Sequence, residues 1–457
     1  MFKNKYHIHF IGIGGIGMSG IAEFLISSGY KVSGSDVQES GLTRRLSDLN
    51  AKIYIGHHAD SILNSDLVVI SSAINKENIE LQAAQNNQIP VVHRSQMLAE
   101  IMRCKYSIAV SGSHGKTTTT NIISTILQYG GLDPTVIIGG NLKQNNKNLI
   151  KGTGKFIVVE ADESDGSMVN MSPTIAVVTN IDKEHLDNYK NIDNILKAFK
   201  TFLNKISFYG FSILCYDNEY VQKILPDLKQ KYITYGLDKK SDVFGYNIKT
   251  IPGFGTKFEV CVNNKKIGEF TTSLPGIHNV YNSLAGIATG LQLEIPLEKI
   301  KAALQNLEGV QRRLEIKGNY NKTLIIDDYG HHPCEIKATL RTIKENWPDN
   351  SLFVVFQPHR YSRTQSLFDD FTKAFDDADS LLILPVYSAG EKEIEGVNSY
   401  KLYEKIKDDQ REIYYKENFD KAIELLKSRL KKDDILLTLG AGDVWKIGEE
   451  LVIKILA

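Results

Sequence analysis

Between Val110 and Thr120 the chain reads Val-Ser-Gly-Ser-His-Gly-Lys-Thr-Thr-Thr-Thr. Gly112 and Gly115 let backbone N–H groups close around the oxygens of an anion. Ile122, Ile123, Ile126 and Leu127 follow at helical spacing, so Lys116-Thr117 opens a helix whose positive dipole end faces the same anion. Lys116 then suits the β- and γ-phosphates of a nucleoside triphosphate, and the Thr117 hydroxyl suits Mg²⁺. The loop is shorter than the usual G-x-x-x-x-G-K-[ST], because Val110 stands where its first glycine would be.

Other polar groups also stand where apolar runs end. Phe156-Ile-Val-Val-Glu160 ends in a carboxylate, the place where a nucleotide's Mg²⁺ is met; Asp162 and Asp165 read equally as turn or cap residues. Val177-Val-Thr-Asn-Ile-Asp-Lys-Glu-His-Leu-Asp187 delivers His185, a second metal ligand or phosphate contact, with a structural histidine as the competing reading. Gly12-Ile-Gly-Gly-Ile-Gly17 matches G-x-G-x-x-G, and Asp36 stands about 20 residues on, where a ribose-binding acid belongs. Taken alone this predicts NAD, yet its physics asks only for a diphosphate on a helix N-terminus, and a nucleotide sugar fits equally. Toward the C-terminus, Asp327-Asp-Tyr-Gly-His-His-Pro333, Gln357-Pro-His-Arg-Tyr-Ser-Arg363 and Gly440-Ala-Gly-Asp443 form one rim of polar loops. Arg360 and Arg363 can fork onto a carboxylate there, or pair with surface acids. His331-His332 can also be turn structure beside Pro333.

These residues need parallel strands to hold them. Short apolar runs alternate with amphipathic stretches, the pattern of βα units. Strands are expected at His7–Ile11, Lys31–Ser35, Lys52–Ile55, Leu67–Ser71 and Val91–His93, and then at Ser107–Ser111, Lys155–Glu160, Thr174–Asn180, Phe211–Tyr216 and Lys231–Tyr235. A third series falls at Thr323–Asp327, Leu352–Gln357, Ser380–Pro385 and Ile435–Leu439. Residues 242–272 read as an antiparallel insertion, and Asn279–Leu291 as a helix. The expected fold is α/β in three domains: a Rossmann-like one over 1–105, a P-loop-ATPase-like parallel sheet with the small insertion over 106–309, and a Rossmann-like one over 310–457. A length of 457 residues suits about three domains.

Lys+Arg and Asp+Glu both number 54, so no net field draws the chain to nucleic acid or an anionic membrane. Lys3 and Lys5 before Ile8–Ile26 imitate a leader, but His7, His9, Glu23 and five glycines interrupt it. Cys104, Cys215, Cys261 and Cys334 lie too far apart for a metal cluster or a disulfide framework, and the first three read as buried small hydrophobes. A reducing, cytoplasmic location is expected.

In this order and over essentially the whole length, the motifs resemble the Mur ligases of bacterial peptidoglycan synthesis. That family uses the short G-[ST]-x-G-K-T loop. Glu160-Ala-Asp-Glu-Ser-Asp-Gly-Ser167, Gly309-Val-Gln-Arg-Arg313, Asp327–Pro333 and Phe356-Gln-Pro-His-Arg-Tyr-Ser-Arg-Thr364 point to the branch that joins L-alanine to UDP-N-acetylmuramate. The resemblance implies an amide bond made through an acyl phosphate, with ATP and Mg²⁺, by a monomer or weak homodimer. It assigns Gly12, Gly14, Gly15, Gly17, Asp36 and Ser71 to the sugar nucleotide. Gly112, Ser113, His114, Gly115, Lys116, Thr117 and Thr118 go to ATP, as do His278, Asn279, Asn282 and Asp328. Thr117, Glu160 and His185 go to Mg²⁺. Tyr329, His331, Arg360 and Arg363 match the alanine pocket, and Arg312 and Arg313 the substrate and phosphate arginines. Lys116, His185, Arg313 and His331 are the implied catalytic set. Ser113 and Cys334 replace the commoner threonines, and neither change removes a group the chemistry needs.

Overall fold

The computed structural model describes residues 6–142, 147–164, 166–184, 186–253, 255–406 and 411–453. Asp165 and His185, both candidates above, lie outside them.

Five strands come first: β1 (His7–Ile11), β2 (Lys31–Asp36), β3 (Lys52–Ile55), β4 (Leu67–Ile70) and β5 (Val91–His93). They form a parallel sheet in the order β3-β2-β1-β4-β5. The order reverses between β1 and β4, which opens a crevice beyond their C-terminal ends. Four helices serve this sheet: α1 (Ile16–Ser27), α2 (Gly41–Asp48), α3 (Ile79–Asn86) and α4 (Arg94–Met102). Their starts are locally encoded. Ser40 and Thr43 make a capping box for α2, and Asn78 caps α3 through the N–H groups of Glu80 and Leu81.

The next ten strands are β6 (Tyr106–Ser111), β7 (Thr135–Leu142), β8 (Lys147–Ile150), β9 (Phe156–Glu160), β10 (Ile175–Val178), β11 (Phe211–Cys215), β12 (Tyr232–Gly236), β13 (Val243–Ile251), β14 (Gly255–Val262) and β15 (Lys265–Thr272). Their order is β15-β14-β13-β12-β11-β10-β6-β9-β7-β8. The central strands run parallel and are Val/Ile-rich because both faces are covered: Ile108, Val110, Ile157, Val158, Val159 and Val177 are all fully buried. Each such side chain contributes about 1.5–3 kcal/mol of hydrophobic stabilisation. Helix α5 (Lys116–Tyr129) follows β6. The expected antiparallel insertion is the edge β13-β14-β15. Asn263 and Asn264, both at positive φ, join β14 to β15 in a two-residue turn that reverses the chain. β13 itself runs parallel to β12.

The first compact unit runs through Asn247 and takes back Phe258–Thr272 and Val280–Glu308. Within it α1 lies against β7 and β8. Gly20 allows that approach, since a Cβ there would sit 3.3 Å from Asn148 Nδ2. The Asn148 amide donates to Ser19 Oγ at 2.8 Å and to the Ile16 carbonyl.

The second unit comprises Ile248–Lys257, Ser273–Asn279 and the chain from Gly309. Its sheet contains β16 (Glu315–Tyr320), β17 (Thr323–Asp328), β18 (Leu352–Phe356), β19 (Ser380–Ile383), β20 (Glu412–Tyr415) and β21 (Ile435–Leu439), in the order β16-β17-β21-β18-β19-β20. All neighbours are parallel except β16 and β17. One apolar cluster covers each face.

Four strands were not anticipated: β7, β8, β16 and β20. The β7–β8 tract, Ile137-Ile-Gly-Gly-Asn-Leu-Lys-Gln-Asn-Asn-Lys-Asn148, has the composition of a loop, and β16 and β20 are polar edge strands. Cys215 and Cys261 are buried as expected, but Cys104 is exposed, because it stands on the turn between α4 and β6.

Candidate functional site

The Gly112–Thr117 loop leaves the C-terminal end of β6, between β9 and β10. Gly112 has φ +133° and Gly115 φ +80°. A Cβ on Gly112 would meet Thr179 Oγ1 at 2.1 Å, and one on Gly115 would meet Asn282 Oδ1 at 2.7 Å. The residues beyond β10 clasp the loop. The His114 N–H donates to Asn180 Oδ1 (2.8 Å), and the Ser113 N–H to the Asn180 carbonyl (3.2 Å). Thr179 Oγ1 donates to the His114 carbonyl at 2.6 Å, and the Asp182 N–H donates to Ser113 Oγ at 2.9 Å. The His114 ring lies 3.5 Å from Asp182 and 3.6 Å from Glu184. Thr118 is buried in the first turn of α5, and Thr119 Oγ1 donates to Asn282 Oδ1 at 3.1 Å. Thr179 and Asn180 stand inside a motif read for His185, and the cue was their place directly after a buried strand.

Lys116 Nζ lies 2.6 Å from the Gly112 carbonyl, 3.2 Å from that of Ser113 and 2.8 Å from Glu163 Oε2. Burial pulls its pKa down, but Glu163, Asp162 and Glu160 outweigh this, and the net shift is upward. Glu160 ends β9 in register with Val110. Burial pushes its pKa up, against hydrogen bonds from the Gly139 N–H and the Thr117 hydroxyl and the charge of Lys116. Its Oε1 is buried and, among the described residues, meets no hydrogen-bond donor. A desolvated carboxylate oxygen beside a threonine hydroxyl is a hard-oxygen donor set, and it fits a divalent cation such as Mg²⁺.

In the first sheet, Gly12 (φ +78°) turns the chain out of β1, and the N–H groups of Gly12 and Ile13 both donate to the Ser35 carbonyl. Gly15 caps α1 without a side-chain bond, and no acidic residue occupies the first turn. Asp36 Oδ2 accepts the Gly14 N–H at 2.8 Å, so the acid expected at a ribose pins the glycine turn. Ser71 follows β4 across the crevice. Arg94, which sequence reasoning passed over, begins α4 immediately after β5.

In the second unit, Tyr329 lies under two guanidinium groups, those of Arg312 (5.1 Å) and Arg313 (5.2 Å). Arg312 is spent on the fold. Its Nε donates to Asp327 at 2.9 Å, and its terminal nitrogens donate to the carbonyls of Gly440 and Gly442. Arg313 Nη1 lies 3.8 Å from Glu335. Asp328 accepts the N–H groups of Leu314 and Gly330, each at 2.8 Å, and burial raises its pKa. His331 Nδ1 lies 3.1 Å from the Tyr329 carbonyl, and burial lowers the ring's pKa to about 3. Arg363 Nη1 is 3.2 Å from His359, whereas Arg360, at φ +71°, is exposed. Asn279 Nδ2 bonds the Pro275 carbonyl at 2.7 Å and His278 Nε2 at 3.1 Å. Burial, then the charge of Arg313, lowers the His278 pKa to about 4. His332 is the N-cap of the helix Pro333–Asn346, and its side chain accepts from the Cys334 N–H.

Three family descriptions match the chain: Mur ligase family, catalytic domain over residues 7–106; Mur ligase middle domain over 110–290; and Mur ligase, glutamate ligase domain over 312–442. The UDP-N-acetylmuramate–L-alanine ligase of Desulfatibacillum aliphaticivorans is 52% identical over 453 residues, 99% of each chain. The protein of the same description from Desulfosudis oleivorans is 50% identical over 453 residues, again 99% of each. Among solved structures, the UDP-N-acetylmuramate-alanine ligase of Thermotoga maritima is 30% identical, with a TM-score of 0.85 over 98% of this chain and 99% of its own. The phosphate loop and Glu160 fall in the middle match, the glycine turn in the first, and Tyr329, His331, Arg360 and Arg363 in the third. The chain belongs to the Mur ligase family.

Proposed function

We propose that this protein joins L-alanine to UDP-N-acetylmuramate, converting ATP to ADP and phosphate. One observation carries the reading: Lys116, Thr117 and Glu160 meet at adjoining strand ends in a chain half identical, end to end, to relatives of that description. The division into 1–105 for the sugar nucleotide, 106–309 for ATP and 310–457 for the amino acid is supported by the three sheets. ATP and nucleotide-activated sugars are cytoplasmic, and among the described residues no helix is long and apolar enough to cross a membrane.

The muramyl carboxylate attacks the γ-phosphorus, ADP departs, and an acyl phosphate forms. The amine of L-alanine attacks the acyl carbon, and phosphate leaves with the C–O electrons. Gly112, Gly115 and Thr118 present loop and helix N–H groups to the phosphates, while Ser113 and His114 fix the loop's shape through Asn180. Lys116 exchanges its loop carbonyls for phosphate oxygens, which stabilises the transferring group. Thr117 and Glu160 would hold Mg²⁺, and His185 is assigned to a second ion; bound there, Mg²⁺ neutralises phosphoryl charge. Gly12, Gly14, Gly15 and Gly17 shape the turn that receives the sugar nucleotide, with Asp36 bracing it through the Gly14 N–H and Ser71 opposite. The resemblance assigns Asn282 of the first unit to ATP; in the second unit it assigns His278, Asn279 and Asp328 to ATP and Arg313 to phosphate.

Tyr329, Arg360 and Arg363 receive the alanine carboxylate, with the Arg312 guanidinium over the Tyr329 ring. His331 Nδ1–H donates to the Tyr329 carbonyl, which leaves Nε2 to accept from the amine. A ring of pKa about 3 is a poor base for the alkylammonium of the substrate. The proton therefore goes to the departing phosphate, whose basicity lies about three units higher. His331 orients the amine.

The test is phosphate release with UDP-N-acetylmuramate and ATP across a panel of amino acids. Release that depends on L-alanine, and is lost in Lys116→Ala, supports the reading. Release indifferent to the amino acid ends it, and release with a peptide but not with L-alanine points to a peptide-adding member.

A further inference from the structure

Arg94 is the first residue of α4, directly beyond the C-terminal end of β5, so it shares the sheet edge from which the Gly12–Gly17 turn projects. Its guanidinium reaches in two directions. A Cβ built on Gly17, the second residue of α1, would lie 2.6 Å from Arg94 Nη1 and 3.3 Å from its Cζ. The guanidinium therefore lies against the opening turn of α1, whose N–H groups receive no side-chain cap. In the other direction Nη2 is 3.4 Å from Asp162 Oδ2, two residues past Glu160. The Asp162 side chain is 39% exposed, so a single contact of this length adds little to stability. A half-buried arginine held by so weak a partner is explained better by an anion that comes and goes.

We propose that Arg94 is a substrate residue that forks onto the diphosphate of the sugar nucleotide and releases Asp162 as it does so. The inference rests on the function proposed above, because it needs a nucleoside diphosphate at the start of α1. A diphosphate offers several oxygens to the planar guanidinium, whereas Asp162 offers one at long range. Gly17 is then needed for its missing side chain: any Cβ would push the guanidinium off the helix turn. Filling the first nucleotide site also leaves Asp162 without its arginine beside Glu160 and Lys116, so occupancy of one site is felt at the other.

Binding of UDP and of uridine to the full chain, measured by titration calorimetry, tests this. Uridine shares the base and sugar but lacks the phosphates. Arg94→Ala should weaken UDP by ~10–100-fold and leave uridine unchanged, and Arg94→Lys should fall between, as expected for a charge-assisted contact. Asp162→Asn should tighten UDP a few-fold in the wild-type background and do nothing once Arg94→Ala is present. Equal losses for UDP and uridine would mean that Arg94 only supports the fold. Unchanged UDP affinity in Arg94→Ala would overturn the contact, and an Asp162→Asn effect that persists without Arg94 would overturn the exchange. If the wild-type chain binds neither ligand, the proposed function falls and the inference with it.

Discussion

Replacing Glu160 by glutamine separates the cost of the site from its use. Oε1 is buried without a donor, and burial raises the carboxyl's pKa. A buried polar atom left unsatisfied costs about 1–3 kcal/mol. Glu160→Gln keeps an acceptor for Thr117 and Gly139 and removes the desolvated charge, but leaves an amide hydrogen to house. The net expected gain is about 1 kcal/mol in metal-free protein at pH 7.5, a rise of about 2 °C in the unfolding midpoint. The pH dependence has a defined sign. An acid whose pKa is raised in the folded state penalises folding only when ionised. The gain is thus full above the raised pKa and vanishes as pH falls below the ordinary carboxylate value of about 4.3. Mg²⁺ should raise the wild-type midpoint, by about 1.4 kcal/mol at ten times its dissociation constant, and leave the variant flat. Alanine-dependent phosphate release should drop by ~10³-fold, the scale of losing one electrostatic contact to a developing charge. Scanning calorimetry with and without Mg²⁺ reads the first effects, and the phosphate assay the last. A variant less stable than wild type at pH 7.5, or one still stabilised by Mg²⁺, would refute the assignment of Glu160 as the metal carboxylate.

Gly115→Ala forces alanine to φ +80° and drives Asn282 off Thr119, so urea unfolding should show a loss of about 2–3 kcal/mol together with a raised KM for ATP. His331→Asn should raise the KM for L-alanine. Because the ring is neutral above a pKa of about 3, the acid limb of kcat between pH 5 and 8 should not move, and a displaced limb in a pH–rate profile would make His331 the base after all. Arg312→Lys keeps the charge but loses the fork onto Asp327, Gly440 and Gly442; we expect a stability loss of about 2 kcal/mol and a raised KM for L-alanine, read by unfolding and steady-state kinetics.

The parallel core was legible because buried central strands are continuous apolar runs, and because the polar groups that matter stand where those runs stop. Lys116, Thr117 and Glu160 were singled out by that rule. The rule fails where an element is held by its neighbours rather than by its own composition. β7 carries Gly-Gly-Asn in its C-terminal half, and β8 has no apolar alternation, yet α1 packs on both, and Gly139 from β7 supplies the N–H that binds Glu160. The contacts of Arg312 were not legible for a related reason: its guanidinium bonds Asp327, Gly440 and Gly442, and the last two lie more than a hundred residues away in sequence. Arg94 escaped notice because its partner Gly17 lies far away in sequence, and the slot it fills is an absence of atoms.

Two observations at the phosphate loop have one cause. Lys116 is over-supplied, with two loop carbonyls and a buried carboxylate, while Glu160 a short way off keeps an oxygen without a donor. Opposite charges in a desolvated site attract strongly enough to collapse onto each other unless something prevents it. Glu163 prevents it here. Its side chain is 3% exposed, its backbone carbonyl is fixed by the Tyr189 hydroxyl at 2.6 Å, and it takes the ammonium at 2.8 Å. Removing that restraint in Glu163→Gln should let Lys116 swing to Glu160 and satisfy Oε1 with an ammonium in place of a metal. The expected result is a variant little changed in stability, because one ion pair replaces another, but with Mg²⁺ affinity reduced by ~10-fold or more and the lost affinity restored by adding Lys116→Met. If Glu163→Gln binds Mg²⁺ as tightly as wild type, the separation of the two charges must come from the loop backbone alone, and the carboxylate two residues before Asp165 has no part in preparing the site.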